Sequence, residues 1–393
     1  MVLVVIQVAL AGCSASPAKA AKPTATTPHV TPTPQPYNLN GPFVTAQQAW
    51  GNVHIIHLTT DMGNNLVFIS EQVASPDGQW LVGSIEPRTF PNVTNALSSI
   101  ALYNVHTSRV VRVHTLLNPL SQVLSASIDD HWLVWSEADD NPTFYDWTMF
   151  AYNRQTGQVT KLGQAVRVNG QPIAGSYLSP VVSQDEVIWS EPIAPVVQND
   201  SSTLKNNVTY LENLAAGTVT TLATAAIGAY LELPWALWGT YTPSGSGYIL
   251  FKNLVTGEVR QLQQEPATIV IHGTSAAYDD SNSVYLIDDF TKTPVTGVQI
   301  AAPTDAAPHL EFVTLDDRFV AWRAQTGTPT LYDRIHKRII RLATYPDFSN
   351  ASAISDPILE GGLIVWPDPV DVLSSNGLQS TTLNIIDTRT LPA

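Results

Sequence analysis

The strongest constraint on this chain is a short stretch that keeps returning. Its fullest form is His131-Trp132-Leu133-Val134-Trp135-Ser136-Glu137. Aligned on Trp135, it recurs as Val187-Ile188-Trp189-Ser190-Glu191, Ala236-Leu237-Trp238-Gly239, Phe319-Val320-Ala321-Trp322 and Leu363-Ile364-Val365-Trp366. Two gaps in the series are filled by Trp80-Leu81-Val82-Gly83-Ser84 and Ser275-Ala276-Ala277-Tyr278-Asp279. The anchors stand at 83, 135, 189, 238, 278, 322 and 366, seven copies spaced by 40 to 54 residues. A unit of that length makes one small sheet that cannot cover its own apolar faces, so its neighbours must do so.

The pattern from Val53 onward is β throughout, with short alternating apolar runs between turn signals and no sustained helical period. Each repeat opens with an apolar strand, such as Val123–Ile128 or Leu310–Leu315. A tight acidic turn follows: Asp77-Gly78, Asp129-Asp130, Asp185-Glu186, Asp316-Asp317 or Glu360-Gly361-Gly362. Then come the anchor strand, a variable loop and a hairpin, as in Phe150–Asn153, Arg154-Gln155-Thr156-Gly157 and Gln158–Leu162. Gly in such turns supplies the positive φ that short connections need. The fold class predicted is all-β: a single β-propeller of seven four-stranded blades over 44–393, closed by an N-terminal strand. The last repeat lacks a fourth strand of its own. The expected closure sets Leu66–Ser70 beside Leu383–Ile386, with Val53–Leu58 as an extra strand outside it.

Ahead of the repeats, Val2–Ala11 is apolar and too short to span a bilayer, which needs about 20 residues. Residues 1–12 therefore read as a signal peptide. Leu10-Ala11-Gly12-Cys13 is similar to the lipobox of bacterial lipoproteins, although no Lys or Arg precedes the apolar run. That resemblance implies cleavage before Cys13, a lipid on its thiol, and an exported protein held on the outer leaflet of the cell membrane or in the periplasm. Residues 13–43 are Pro- and Thr-rich and cannot bury apolar area, so they read as a linker between anchor and head.

Composition narrows the partners. The net charge is −14, and no acidic residue precedes Asp61. Lys19 and Lys22 lie before the head, which on its own carries −16 (−14 less those two). Such a surface repels phosphate backbones and no Lys/Arg cluster offsets it, so nucleic acid is not expected as a partner. A single cysteine leaves no intrachain disulfide. His54 and His57 are an odd number apart and point to opposite strand faces, so no metal or other cofactor is expected. The acids in the turns read as caps that accept backbone N–H groups, since a catalytic pair has no reason to recur in several repeats.

Val73-Ala74-Ser75-Pro76-Asp77-Gly78-Gln79-Trp80 resembles the Ser-Pro-Asp-Gly signature of TolB-type propellers, and the other repeats carry degenerate versions. The resemblance implies the fold and leaves the function open. Propellers of this kind include interaction proteins, sensor modules, polysaccharide lyases and gating domains of peptidases. No Gly-x-Ser-x-Gly elbow occurs, and the 27 residues after Trp366 leave no room in this chain for a hydrolase domain. The expected function is a lipid-anchored binding or scaffolding module for an envelope protein or glycan, more a binder than an enzyme. The alternative is a propeller enzyme, lyase or glycosidase, acting on a polysaccharide at the channel mouth.

The loops after the anchor strands are long at Glu86–Ala96, Ala138–Trp147, Pro192–Asn206 and Pro367–Ser380, in repeats that ring closure makes contiguous. They predict a raised binding arc bearing the aromatics Phe90, Phe144, Tyr145 and Trp147. Glu137, Glu191 and Asp368, each two residues past an anchor, are expected to give that arc an acidic floor.

Overall fold

The computed structural model describes residues 37–38, 43–64, 66–87, 97–138, 145–173, 179–194, 206–241, 247–264, 266–302, 310–324, 328–343, 357–367 and 382–392. These form a β-propeller of seven blades. The inner strands are Leu66–Ala74, Gln122–Ile128, Val181–Ser183, Ala226–Glu232, Thr268–His272, Leu310–Leu315 and Ile358–Glu360. Each pairs antiparallel with the following anchor strand, and third and fourth strands continue the sheet outward. Successive antiparallel strands put the first-to-second and third-to-fourth turns on one face of the ring, here the turn face. The second-to-third loops and the links between blades lie on the other, the loop face.

The anchors fill the seams between blades. Trp135 and Trp322 are fully buried, and Trp189, Trp238, Tyr278 and Trp366 nearly so. Trp135 packs with Leu133, Val82 and Ile100 between blades 1 and 2, and Trp189 with Val134 and Met149 between blades 2 and 3. A large ring at one strand position in successive sheets meets equivalent gaps. In blade 1 the anchor is Gly83, because a Cβ there would overlap the Phe68 ring and the Ile69 carbonyl.

A second periodic feature fixes the outer hairpins. The third strand of six blades ends in Asn or Asp, at Asn104, Asn153, Asn213, Asn253, Asp333 and Asp387, and in blade 5 Asp289 follows the strand end Ile287 by two residues. Each Oδ1 accepts a backbone N–H two or three residues on, as Asn153 does from Gln155 and Thr156, and Asp333 from Ile335 and His336.

Ring closure differs from the expected register. Ile56–Thr59 is the outer strand of blade 7, with Ile56 opposite Ile385 and Thr59 opposite Thr382. Leu66–Ala74 is instead the inner strand of blade 1, paired with Trp80–Pro87. An irregularity between Ser70 and Val73, where residues 71 and 72 have no partner on the facing strand, divides that strand into two runs. The chain before it follows the rim: Tyr37–Asn38 pairs with the edge of blade 5, and Val44–Thr45 with that of blade 6. Tyr37–Asn38 falls within the stretch expected to be linker.

Candidate functional site

The residues expected to form the loop-face arc fall in different environments. Tyr145 is exposed and Glu191 half-buried. Burial pushes the Glu191 carboxyl up to about 7, and the Tyr210 hydroxyl is raised by its own burial, with the Glu191 charge adding. Two of the predicted residues do not belong to a surface. Trp147 is buried in the seam of blades 2 and 3 with Met149 and Trp189. Glu137 is fully buried: its Oε2 accepts the Trp135 Nε1–H at 3.2 Å, and its Oε1 lies 3.7 Å from His114 Nε2. The alternation that buries Trp135 also carries the residue two positions on into the seam. Cys13, Phe90, Phe144 and Asp368 lie outside the described residues.

Exposed apolar side chains occur on the same face of blades 1 to 3. Leu97, Leu117 and Leu120 of blade 1, Tyr145 of blade 2 and Ile193 of blade 3 are all exposed, Leu117 at 64%. All five lie on second-to-third loops or on the link between blades 1 and 2, hence on the loop face. In blade 1, Ser84 Oγ donates to Glu86 Oε1 at 2.8 Å. Glu71, at the irregularity in the inner strand, is pushed up to about 8 by burial and by the Glu86 charge.

The turn face holds a constellation that the sequence did not single out. His272 ends the inner strand of blade 5 and lies between two carboxylates: Nδ1 is 3.4 Å from Glu232 Oε1, and Nε2 is 3.3 Å from Asp317 Oδ1. Glu232 also accepts the Gly273 N–H at 2.8 Å. Glu360 in blade 7 accepts the Ala74 N–H of blade 1 at 3.0 Å. Ser127 and Ser183 make the same bond from one blade to the next, to the N–H of Val182 and Leu233. Glu232 and Glu360 thus serve first as latches between blades.

Two of these latches are carboxylates, Glu232 and Glu360. Burial pushes Glu360 up to about 7, with the Glu232 charge adding to it. Tyr230, two residues before Glu232, is raised by burial and by both carboxylates. Blades 4 and 7 are not neighbours, so this coupling runs across the channel mouth. A carboxyl that titrates near pH 7 can give and take protons there. Among the described residues, no group of three or more His, Cys, Asp or Glu side chains is arranged to hold a metal ion.

One sequence signal could have found this mouth. The residue six before each anchor is Asp77, Asp129, Ser183, Glu232, His272, Asp316 or Glu360, polar in every repeat. Asp77, Asp129 and Asp316 do cap turns as expected, accepting the N–H of Gln79, of His131 and Trp132, and of Arg318 and Phe319.

No protein-family model matches the chain, and no curated protein matches it. Solved structures do. A prolyl endopeptidase matches with TM-score 0.51 and 10% identity over 86% of this chain and 51% of its own. The oligogalacturonate lyase of Vibrio parahaemolyticus matches with TM-score 0.50 and 9% identity over 85% of this chain and 97% of its own. TolB from Acinetobacter baumannii matches with TM-score 0.35 and 9% identity, over 68% and 55%. The chain spans about half the length of the peptidases it matches. At these identities the likeness is one of fold, the β-propeller.

Proposed function

We propose that this protein is an exported, lipid-anchored binding module that offers the loop face of blades 1 to 3 to a protein or glycan of the cell envelope. The observation that carries this reading is the grouping of Leu97, Leu117, Leu120, Tyr145 and Ile193 on one face of three consecutive blades. Water-exposed leucines, isoleucine and tyrosine brought together by separate loops are what an interaction surface supplies. The head, carrying Leu117→Asp, Leu120→Asp and Tyr145→Ala, should lose partners that the unaltered head retains from envelope extract. Full retention of every partner would remove this face as the site.

The anchor is part of the same proposal and rests on the sole cysteine following the apolar run. No helix among the described residues is long and apolar enough to cross a membrane. Cys13→Ser should move the protein from the membrane to the soluble fraction, and its continued sedimentation with membranes would count against lipidation.

A second reading is favoured by the turn-face mouth, where Glu232, His272, Asp317 and Glu360 converge. A mouth so lined suits a propeller enzyme acting on a polysaccharide, the alternative drawn from the sequence. A propeller is also the fold of the oligogalacturonate lyase it resembles. The two readings part on turnover: an enzyme releases new chain ends from a polysaccharide, and a binding module does not.

A further inference from the structure

Away from the channel, the turn face carries a cleft of about 420 Å³ where blade 2 meets blade 3. His131, Trp132, Asn153, Gln155, Asp185 and Leu214 line it. We propose that this cleft binds one neutral sugar residue, its apolar face against Trp132 and its hydroxyls on Asp185, His131 and Gln155. The proposal deepens the reading of the propeller as a binding module by adding a glycan subsite on the opposite face.

The volume falls in the usual range for small-ligand sites, roughly 300–1,000 Å³. The wall is set in advance by the protein. Trp132 Nε1–H donates to Asp185 Oδ1 at 2.7 Å, so a residue of blade 3 fixes the indole of blade 2. His131 Nδ1 lies 3.7 Å from the same oxygen. Asp185 is kept where its backbone resists it. Gln184 and Asp185 form a two-residue turn between the paired Ser183 and Glu186, with φ of 49° and 25°. Such turns favour Asn and Gly, and strain retained at a polar residue points to a use for its side chain. Behind the wall Asp129 is buried, and its Oδ2 has no hydrogen-bond partner among the described residues. Its carboxyl is pushed up by burial, with the Asp185 charge adding.

These groups select the ligand by elimination. A hydrocarbon would strand Asp185, His131 and Gln155 without water or partners. An anion would meet Asp185 with Asp129 behind it, on a chain of net charge −14. A simple cation would find the Asp185 oxygen shared between an indole N–H and an imidazole. A sugar ring offers one apolar face to an indole and several hydroxyls that both donate and accept, which matches this mixture.

Saturation-transfer NMR on the full chain should be run with glucose, galactose, N-acetylglucosamine and cellobiose, beside choline and glucuronate. At least one neutral sugar should bind saturably. Asp185→Asn, which keeps an acceptor for the indole, should weaken that binding roughly tenfold by removing a charge-assisted hydrogen bond. Gln155→Ala, at an exposed position, should weaken it with no change in the melting curve. Substituting Tyr145 on the loop face should leave the sugar signal intact, so failure of the loop-face reading and failure of this one are distinguishable. The proposal falls if no neutral sugar saturates, if choline or glucuronate binds in its place, or if both cleft variants bind as the parent does.

Discussion

Glu360→Gln should melt a few degrees above the unaltered protein at pH 8, and the two should melt together at about pH 4, below the ordinary carboxylate value. Glu360 sits at the seam that closes the ring, where it accepts the Ala74 N–H. Its carboxyl rises from 4.5 to about 7 because burial and Glu232 disfavour the charge. A carboxyl whose folded pKa is raised contributes stability that is fully present below pH 4.5 and lost as pH climbs through 7. Each pKa unit corresponds to about 1.4 kcal/mol, and partial hydration of the mouth reduces the full shift to about 2 kcal/mol. Glutamine keeps an acceptor for Ala74 and cannot ionise, so it should behave as the protonated acid at every pH.

The groups facing this carboxyl bound the window. Glu232 and Tyr230 approach from blade 4, while Asp77 and Arg389 lie at the turns of the adjoining seam. Glu71, pushed up to about 8, and Glu191, to about 7, add slopes of the same sign over pH 5 to 8. The depressed carboxyls Asp333 and Asp387 act below the usual carboxylate range and stay out of that window. Adding Glu71→Gln should flatten the profile further. A melting temperature level from pH 5 to 8 in the parent, or an unchanged slope in Glu360→Gln, would show that Glu360 ionises freely.

What the sequence could and could not reveal follows from the range over which each feature acts. Seam packing imposes Trp135, Trp189, Trp238, Trp322 and Trp366 at one strand position, so the repeat was legible from spacing alone. The Asn/Asp ladder from Asn104 to Asp387 was equally local and could have been read in the same pass. The turn-face mouth was harder. Glu232, His272, Asp317 and Glu360 lie in four blades, and only ring closure joins them. Glu137 and Trp147 looked like loop residues because they flank a loop, but strand alternation turns both into seams. The closing strand was misplaced for a different reason: the interruption of pairing at residues 71–72 makes Leu66–Ser70 read as a strand of its own, apart from the remainder of Leu66–Ala74.

That strand carries the other large expected effect. Deleting residues 44–60 should abolish the cooperative melt of the propeller or lower its midpoint by more than 10 °C, on the scale of several kcal/mol lost. Ile56–Thr59 hydrogen-bonds along Thr382–Asp387 and covers what would otherwise be an open sheet edge. Leu58 is buried with Phe68, Leu81, Val365 and Leu383, where blades 1 and 7 meet. The Thr59 carbonyl accepts the Tyr103 hydroxyl at 2.8 Å, and His57 Nδ1 meets Asn384 Oδ1 at 2.8 Å. Upstream, Trp50 packs edge-on against Phe319 at 5.7 Å, so the same deletion opens blade 6. The point variant Leu58→Ala isolates the seam and should cost about 3 kcal/mol, as for other buried leucines. A synthetic peptide spanning 44–60, added to the truncated head, should restore the transition in a concentration-dependent way, because strand addition to a waiting edge is a binding reaction. If the truncated head melts where the full protein does, the ring is closed by something other than this strand.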